Sequence, residues 1–364
     1  MIDNYQPVPY SQLPGWHEDD HLSAFQAFMQ TARAHLRVKP YSQKSFPLDQ
    51  NAFRQICSDA LSVSQEQDLT NSIAKAFFER HFTGYQVQET GFVTGYYEPE
   101  IKVRFSKDEI FKYPFYQRPD ELVDIDDPDN PPDGIEKGFA FAKKSADGLS
   151  PFPARREIDQ GYLENRGLEI AYAESKADVY FTHIQGSARL IDENGIVKRI
   201  TYAAKSGHRY SSIGKILIER GDICQEDMSM DAIHKWMDGH PNLVDELLWN
   251  NHSYIFFKEL SEHDPRMGPV GAAKVQLTDQ RSLAVDKSIY QFGLPIFVAT
   301  NDLEISSLQK RFRQLMIAQD TGSAILGPAR GDIFIGSGLK AGQVAGSISH
   351  EAKFYVLLPN EEIY

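Results

Sequence analysis

Apolar residues recur every three or four positions through the first third of the chain. In HLSAFQAFMQTARAHL (21–36), Leu22, Phe25, Phe28, Met29, Ala32 and Leu36 fall on one helical face, and EQDLTNSIAKAFFERHF (66–82) repeats this with Leu69, Ile73, Phe77 and Phe78. Both stretches predict helices with a buried stripe. From Phe92 the period shortens. GFVTGYYEP is β-branched and aromatic and closes on Pro99, which predicts a strand. DIDDPDNPPDG (124–134) predicts a solvated loop, and its carboxylates lack the Gly and Glu positions of a calcium loop. DVYFTHIQGSARLI (178–191) reads as strand-like. SSIGKILIERG (211–221) predicts a helix with Ser at its N-cap and Gly221 just past its end. SMDAIHKWMDGHPNLVDELLW (229–249) predicts two more, with Pro241 suited to a first turn. From Ser253 onward the chain is β-rich: SYIFFKEL, LPIFVAT, QLMIAQ, DIFIG and KFYVLLP are separated by Gly-containing turns. Helices, a strand, a mixed insert and then strands suggest one β-barrel domain, completed by the C-terminal segment and interrupted by a second domain. No internal repeat is visible.

Composition narrows the class. The 364 residues are 41% hydrophobic and 12% aromatic, enough to bury a substantial core. A formal net charge of −13 argues against nucleic acid, whose phosphates require a basic face. No run of 18 apolar residues is present to span a membrane. MIDNYQPVPYSQLPGW has neither a basic n-region nor an apolar h-region, and no lipid-attachment Cys. Two expectations follow: a protein that stays inside the cell, or a mature form whose leader has been removed. Cys57 and Cys224 lie far apart outside any CxxC pattern, and two buried thiols are expected.

Several motifs suggest chemistry that their context does not support. HEDDH (17–21) satisfies the zincin pattern H-E-x-x-H, but it follows Pro14-Gly15 where a helix should start, so Asp19 or Asp20 is expected as an N-cap. GSGLKAG (336–342) follows a strand without matching G-x-G-x-x-G, and no helix is expected to open there. NHS (251–253) fits a glycosylation sequon, which says little by itself. Asp320-Thr-Gly after an apolar run resembles an aspartic protease loop. Such a site needs two Asp carboxylates sharing a proton, and with one such motif the chain would have to pair as a retropepsin-like dimer.

Three aspartates punctuate the C-terminal β segment: Asp286 in LAVDKSIYQFGLPIFV, Asp320 in AQDTGSAILG and Asp332 in ARGDIFIGSG. A lone Asp at a strand end caps turns. Three together, beside Gly-rich approaches that let a polymer come close, predict a site.

FVTGYYEP, HIQGSARL, KSGHRYSSIGKILIERG, EDMSMDAIHKW, SYIFFKEL, AVDKSI and QDTGSAILGPARGDIFIGSG, in that order from about Phe92 to Leu358, resemble the membrane-bound lytic murein transglycosylase A family, with a C-terminal three-aspartate (3D) domain. The resemblance implies a mostly β fold with α: a double-psi β-barrel interrupted by a β-rich insert, behind a helical N-terminal segment. The expected domains are 1–102 (helical segment and first part of the barrel), 103–252 (insert) and 253–364 (second part of the barrel, the 3D domain), with a long groove between barrel and insert. It implies cleavage of the MurNAc-β-1,4-GlcNAc bond of peptidoglycan without water, leaving a 1,6-anhydromuramoyl end. The family's catalytic acid matches Asp332, and its supporting carboxylate matches Asp320. No credible ligand cluster or phosphate loop appears in the sequence, so no cofactor or metal is expected. The resemblance implies a periplasmic, outer-membrane-associated monomer whose partner is the glycan strand, with other cell-wall enzymes as further partners.

The chemistry can be followed from the residues as well. If the sugar's own C6 hydroxyl attacks C1, one carboxyl suffices as acid and then base, where ordinary glycosidases need two. Asp332 then requires a raised pKa, from burial among Ile333 and Phe334 or from a like charge at Asp320. Gly331 before it would leave room for a polymer. Asp320, held by local N–H and hydroxyl groups, is expected to stay ionised and to orient or support. Replacing either by Asn is expected to leave stability near the parent's. For glycan binding, Thr94 is a candidate, Tyr96 and Tyr97 offer stacking faces or core packing, and Gln185, Gly186 and Ser187 offer hydrogen bonds and a close backbone. Lys205, His208, Tyr210 and Asp286 complete the candidates, His208 being equally a cap before the helix after Ser211. A glycan-binding protein without catalysis, a hydrolase of the same polymer and the protease remain open alternatives.

Overall fold

The computed structural model describes residues 4–37, 49–65, 68–261, 264–304 and 311–360. Residues 1–3 of the N-terminal stretch, and Glu66 and Gln67 at the start of the second predicted helix, lie outside them. The chain folds as two compact units, residues 1–97 with 263–364 and residues 98–262.

In the first unit eight strands form one sheet: β1 (Tyr5–Val8), β2 (Phe82–Val87), β3 (Gly91–Glu98), β4 (Ser282–Ala284), β5 (Pro295–Glu304), β6 (Arg311–Asp320), β7 (Arg330–Ser337) and β8 (Ser349–Pro359). Their order is β1-β2-β8-β5-β6-β4-β7-β3, and β8 also pairs with β3. Strands β8, β5, β6, β4, β7 and β3 therefore close into a six-membered ring, which removes the sheet edge that an open barrel would expose. β8 achieves this by changing partners along its length: Ser349 faces Thr94 of β3, Val298 of β5 faces Phe354, and Leu358 faces Thr83 of β2. β4 runs parallel to β6 and antiparallel to β7.

Residues Gln314 to Gln319 of β6 are buried consecutively, without the alternation of a half-exposed strand. One face lines the ring and the other lies under helices α1 (His21–Arg37), α2 (Gln50–Ser64) and α3 (Asn71–His81). Phe25, Phe28, Phe53, Phe77 and Phe78 from these helices share one core with Trp16, Phe297, Leu315 and Met316. α1 and α3 fulfil the sequence periodicity. α2 carries the same signal in Phe53, Ile56, Cys57 and Ala60, capped by Asp49, whose side chain accepts from the Asn51 and Ala52 amides. In HEDDH, Asp20 accepts from the Ser23 amide at the start of α1, whereas Asp19 is buried in a fork with Arg281 at 2.9 and 3.2 Å and also accepts from the Leu315 amide at 2.6 Å. Among the described residues no group of His, Cys, Asp and Glu could hold a metal ion, and no helix is long and apolar enough to cross a membrane.

Three expectations are corrected here. A helix does open in GSGLKAG: α4 (Gly338–Ser347) follows β7 directly, because Gly336 and Gly338, at φ 133° and 84°, make a turn that other residues resist. Gly331 does not clear a path for a polymer. A Cβ there would stand 2.9 Å from Leu283 and 3.0 Å from Phe354, so the glycine allows close packing inside the barrel. Cys57 is buried as expected, but Cys224 is exposed at the start of a surface turn.

The second unit holds a six-stranded sheet in the order Ile255–Glu259, Val197–Lys205, Ser187–Ile191, Glu100–Arg104, Glu169–Ala173 and Tyr113–Tyr116. Gln117 bridges Phe257, bringing the two ends of that order together. Glu98 is fully buried, bidentate to Arg199 at 2.8 and 2.9 Å and bonded to Arg189 at 3.0 Å. The stretch expected as strand from Asp178 is instead a helix, Lys176–Gln185, and only Ser187–Ile191 is extended. Ser175 caps the helix through the Ala177 and Asp178 amides, and Gly186 at φ 78° ends it, which outweighs the β-branched and aromatic composition between them. The helix expected after Ser211 runs Ile213–Arg220 between its Ser212 cap and Gly221.

Candidate active site

Three neighbouring strands bring two carboxyls to one end of the ring. Ala284 of β4 faces Asp320 of β6 on one side and Asp332 of β7 on the other. The residue between them carries only a methyl group, which leaves the carboxyls close enough to influence one another. β3, the next strand after β7, adds Thr94 and Tyr96.

The two carboxyls have different environments. Asp320 is tied by three donors: the Tyr96 hydroxyl to Oδ2 at 2.9 Å, and the Ala272 and Thr321 amides to Oδ1 at 3.0 and 2.9 Å. Asp332 Oδ1 accepts one hydrogen bond, from the Thr94 hydroxyl at 2.6 Å. Thr94 in turn accepts from Arg330 Nη2 at 2.7 Å, and Arg330 Nη1 is bonded to the Gly331 carbonyl.

Each of the two aspartates keeps part of its side-chain surface, but protein packed around the carboxyls withholds water from the charged form. Burial pushes Asp332 up to about 6, with Thr94 and Arg330 opposing and Asp320 adding to the rise. Asp320 is raised as well, mainly by burial, which exceeds the opposing effect of its donors and of the charge on Lys274. This corrects the expectation that local hydrogen bonds alone would set its ionisation. Burial also holds the Tyr96 phenol protonated, well above its usual range, so that it remains a donor.

Of the predicted residues, Asp320, Asp332, Thr94 and Tyr96 come together. Tyr96, 9% exposed, does not offer a stacking face: its ring tilts against Phe334 at 5.4 Å. Tyr97 packs on Gly342 of α4. Asp286 has both oxygens engaged, Oδ1 by the Ser288 amide at 2.9 Å and hydroxyl at 2.6 Å, and Oδ2 by the Gly327 amide at 2.8 Å. It clamps the loop that joins β6 to β7. Sequence reasoning missed Arg330 and the Ala272 amide. Arg330 stands two residues before Asp332, where strand alternation puts both on one face, and that spacing was the available signal.

Gln185, Gly186 and Ser187 lie in the second unit at the passage from helix to strand, with the Gly186 carbonyl accepting from the Tyr202 amide at 2.8 Å. Nothing lies within 4 Å of a Cβ built on Gly186, so its glycine serves the turn. Lys205 ends the strand that follows, and Tyr210 is exposed. His208 Nε2 donates to the Phe152 carbonyl at 2.6 Å.

Residues 92–258 match the model of the MltA specific insert domain, and residues 281–358 match that of the 3D domain. Membrane-bound lytic murein transglycosylase A of Escherichia coli (strain K12) is 35% identical over 270 residues, 72% of this chain and 64% of that protein. Its Vibrio cholerae counterpart is 33% identical over 269 residues, again 72% and 64%. The match thus covers less than two thirds of the length of these curated relatives. Among solved structures, a membrane-bound lytic murein transglycosylase from Agrobacterium tumefaciens is 45% identical with a TM-score of 0.91, covering 98% of both chains. MltA from Neisseria gonorrhoeae is 31% identical with a TM-score of 0.78, covering 98% of this chain and 93% of that one. E. coli MltA with bound chitohexaose is 26% identical with a TM-score of 0.67, covering 98% and 91%. By these likenesses the chain belongs to the membrane-bound lytic murein transglycosylase A family.

Proposed function

We propose that this protein is a peptidoglycan lytic transglycosylase in which Asp332 alone serves as acid and then base. The asymmetry of the two carboxyls supports this most directly. Asp332, pushed up to about 6, retains a proton over part of the weakly acidic to neutral range, whereas both oxygens of Asp320 are occupied by donors. A carboxylate tied at three points is poorly suited to attack an anomeric carbon, and well suited to fix the loop and strand around the acid. In the reaction, Asp332 gives its proton to the glycosidic oxygen as the MurNAc C1–O4 bond breaks. The C6 hydroxyl of the same MurNAc forms the new bond to C1, and the Asp332 carboxylate takes the hydroxyl proton. The products are a 1,6-anhydromuramoyl end and a GlcNAc with a free 4-hydroxyl, with no water consumed and the acid restored.

The reading extends to the fold and setting. The closed ring with its parallel β4–β6 pairing suits a double-psi barrel, split by the insert as the domain expectation holds. Gln185, Ser187, Lys205 and Tyr210 are proposed to grip the glycan, while the hydrogen bond of His208 and the full engagement of Asp286 favour structural roles for those two. The relatives' membrane-bound names support membrane association; the periplasmic setting, the monomeric state and other cell-wall enzymes as further partners are proposed on the family resemblance alone.

Digestion of purified murein sacculi followed by mass spectrometry tests the activity. Anhydro-muropeptides are expected, and their release should fall by a factor of roughly 100 or more in Asp332→Asn, the scale of losing acid–base catalysis. Hydrated products would make the protein a hydrolase. The absence of products would leave a glycan-binding protein.

A further inference from the structure

Asp332 has a cationic neighbour with which it makes no ion pair among the described residues. By hydrogen bonds the Arg330 guanidinium reaches the acid through the Thr94 hydroxyl, while its charge also acts on the carboxyl across space. A guanidinium has donors and no acceptor, and a hydroxyl has one proton and two lone pairs. With Arg330 Nη2 donating to Thr94 Oγ1 at 2.7 Å, the single Thr94 proton is directed to Asp332 Oδ1 at 2.6 Å. The second arm of the fork, on the Gly331 carbonyl, and the Phe92 ring, 5.7 Å from the guanidinium carbon, keep Arg330 from swinging onto the carboxylate.

The insertion of a hydroxyl matters for the chemistry. An opposite charge in contact lowers a carboxyl pKa by about 1–3 units, which would leave Asp332 ionised through the weakly acidic range as well and so less able to begin as an acid. Removing all cationic influence would err the other way, keeping the proton on at the step where the carboxylate must accept one. From the elements around it Asp332 meets Arg330 on its own strand, Asp320 on β6 and the Tyr96 phenol on β3. β4, between the aspartates, contributes only Ala284. Lys274, the remaining cation of the cluster, acts on Asp320. Arg330 is thus the cation that bears on the acid itself.

We infer that Arg330 is a positioning residue for the acid, acting through Thr94 to orient the hydroxyl proton and so to set the pH at which Asp332 gives up its own. This rests on the reading of Asp332 as the acid, but it can be measured without turnover. In protein labelled with 13C at the aspartate carboxyls, the resonance missing from Asp332→Asn identifies Asp332, and its titration gives the midpoint directly.

Arg330→Met removes both charge and donor, and should raise the midpoint by about one pH unit. Arg330→Gln, which keeps an amide donor for Thr94, should raise it less, and Arg330→Lys should stay near the parent. Thr94→Val should raise the midpoint on its own, and adding Arg330→Met to it should shift the midpoint by clearly less than Arg330→Met does alone. In the sacculus assay, the descending limb of kcat/KM should move to higher pH by the same amounts, since the protonated form starts the reaction. An unchanged midpoint in Arg330→Met would overturn the inference. Fully additive shifts would overturn the route through Thr94. If Arg330→Met melts early, the Gln and Lys variants carry the same comparison. A parent protein that releases no anhydro product defeats the proposed function, while the titration still decides the role of Arg330.

Discussion

Replacing Asp332 by Asn should make the barrel more stable at neutral pH while removing activity. Asn matches the shape of Asp and can still accept from Thr94, but it never carries the charge that the site desolvates. With the folded carboxyl pushed up to about 6 and the unfolded one near the usual value of about 4, the rise of about two units corresponds to about 3 kcal/mol. Because the folded pKa is raised, folding takes up a proton between those values. Stability is then lost as pH rises from about 4 to about 6, and the full penalty of holding the ion is present above that. The Asn variant escapes the penalty. Discounting for its unmatched amide hydrogens and the lost attraction to Arg330, it should gain about 1–3 kcal/mol at pH 8 and nothing at pH 4. This revises the expectation of unchanged stability, which treated the position as an ordinary surface site. A chain with two compact units need not unfold in one step. The measurement should therefore follow hydrogen exchange of β5 and β6 peptides by mass spectrometry in increasing urea, with intrinsic rates corrected at each pH. An Asn variant no more stable than the parent at pH 8, or a gain that persists undiminished at pH 4, would refute the reasoning.

Other outcomes follow from the same geometry. The kcat/KM profile of the parent should fall as pH rises through about 6, because the protonated carboxyl starts the reaction; a profile that rises there would reverse the assignment of roles. Arg281→Met leaves Asp19 buried with only the Leu315 amide, and should destabilise the barrel by about 3–5 kcal/mol in the same exchange experiment. Asp286→Ala releases the Gly327 amide and should speed limited proteolysis within residues 321–329 several-fold, whereas unchanged cleavage would deny the clamp. EDTA should leave murein digestion unaffected; loss of activity restored by zinc would reopen HEDDH.

Elements governed by local chemistry were legible in the sequence. α1, α3, the helix Ile213–Arg220 and the C-terminal strands follow from apolar spacing, caps and turn glycines. Asp320 and Asp332 could be singled out because each ends or opens an apolar strand. What stayed hidden depends on pairing between distant strands. That Thr94 meets Asp332, or that Tyr96 meets Asp320, follows from the neighbour relation of β3 to β7 and the shared register of Ala284, and no spacing along the chain encodes these. Buried identity misled for the same reason: Gly331 and Tyr96 look like binding-surface residues until Phe354 and Phe334 are seen against them. The helix Lys176–Gln185 was obscured by Val179, Tyr180, Phe181 and Thr182, whose strand preference yields to the cap at Ser175 and the turn at Gly186.

The closure of the ring by β8 bears on how the protein is made. β3 is synthesised before the whole second unit, and about 250 residues of chain separate Thr94 from its partner Ser349. At translation rates of about 5–20 residues per second, β2 and β3 wait on the order of tens of seconds for the strand that seals them. The second unit has all its own strands by Glu259 and can condense during that interval. The half-built barrel, with Phe82 and Val93 still uncovered, is the species most in need of a chaperone. A ribosome stalled after the second unit is complete but before Asp332 would release a product able to fold its insert yet lacking the proposed acid, so that carboxyl reaches the cell only on chains that are nearly finished.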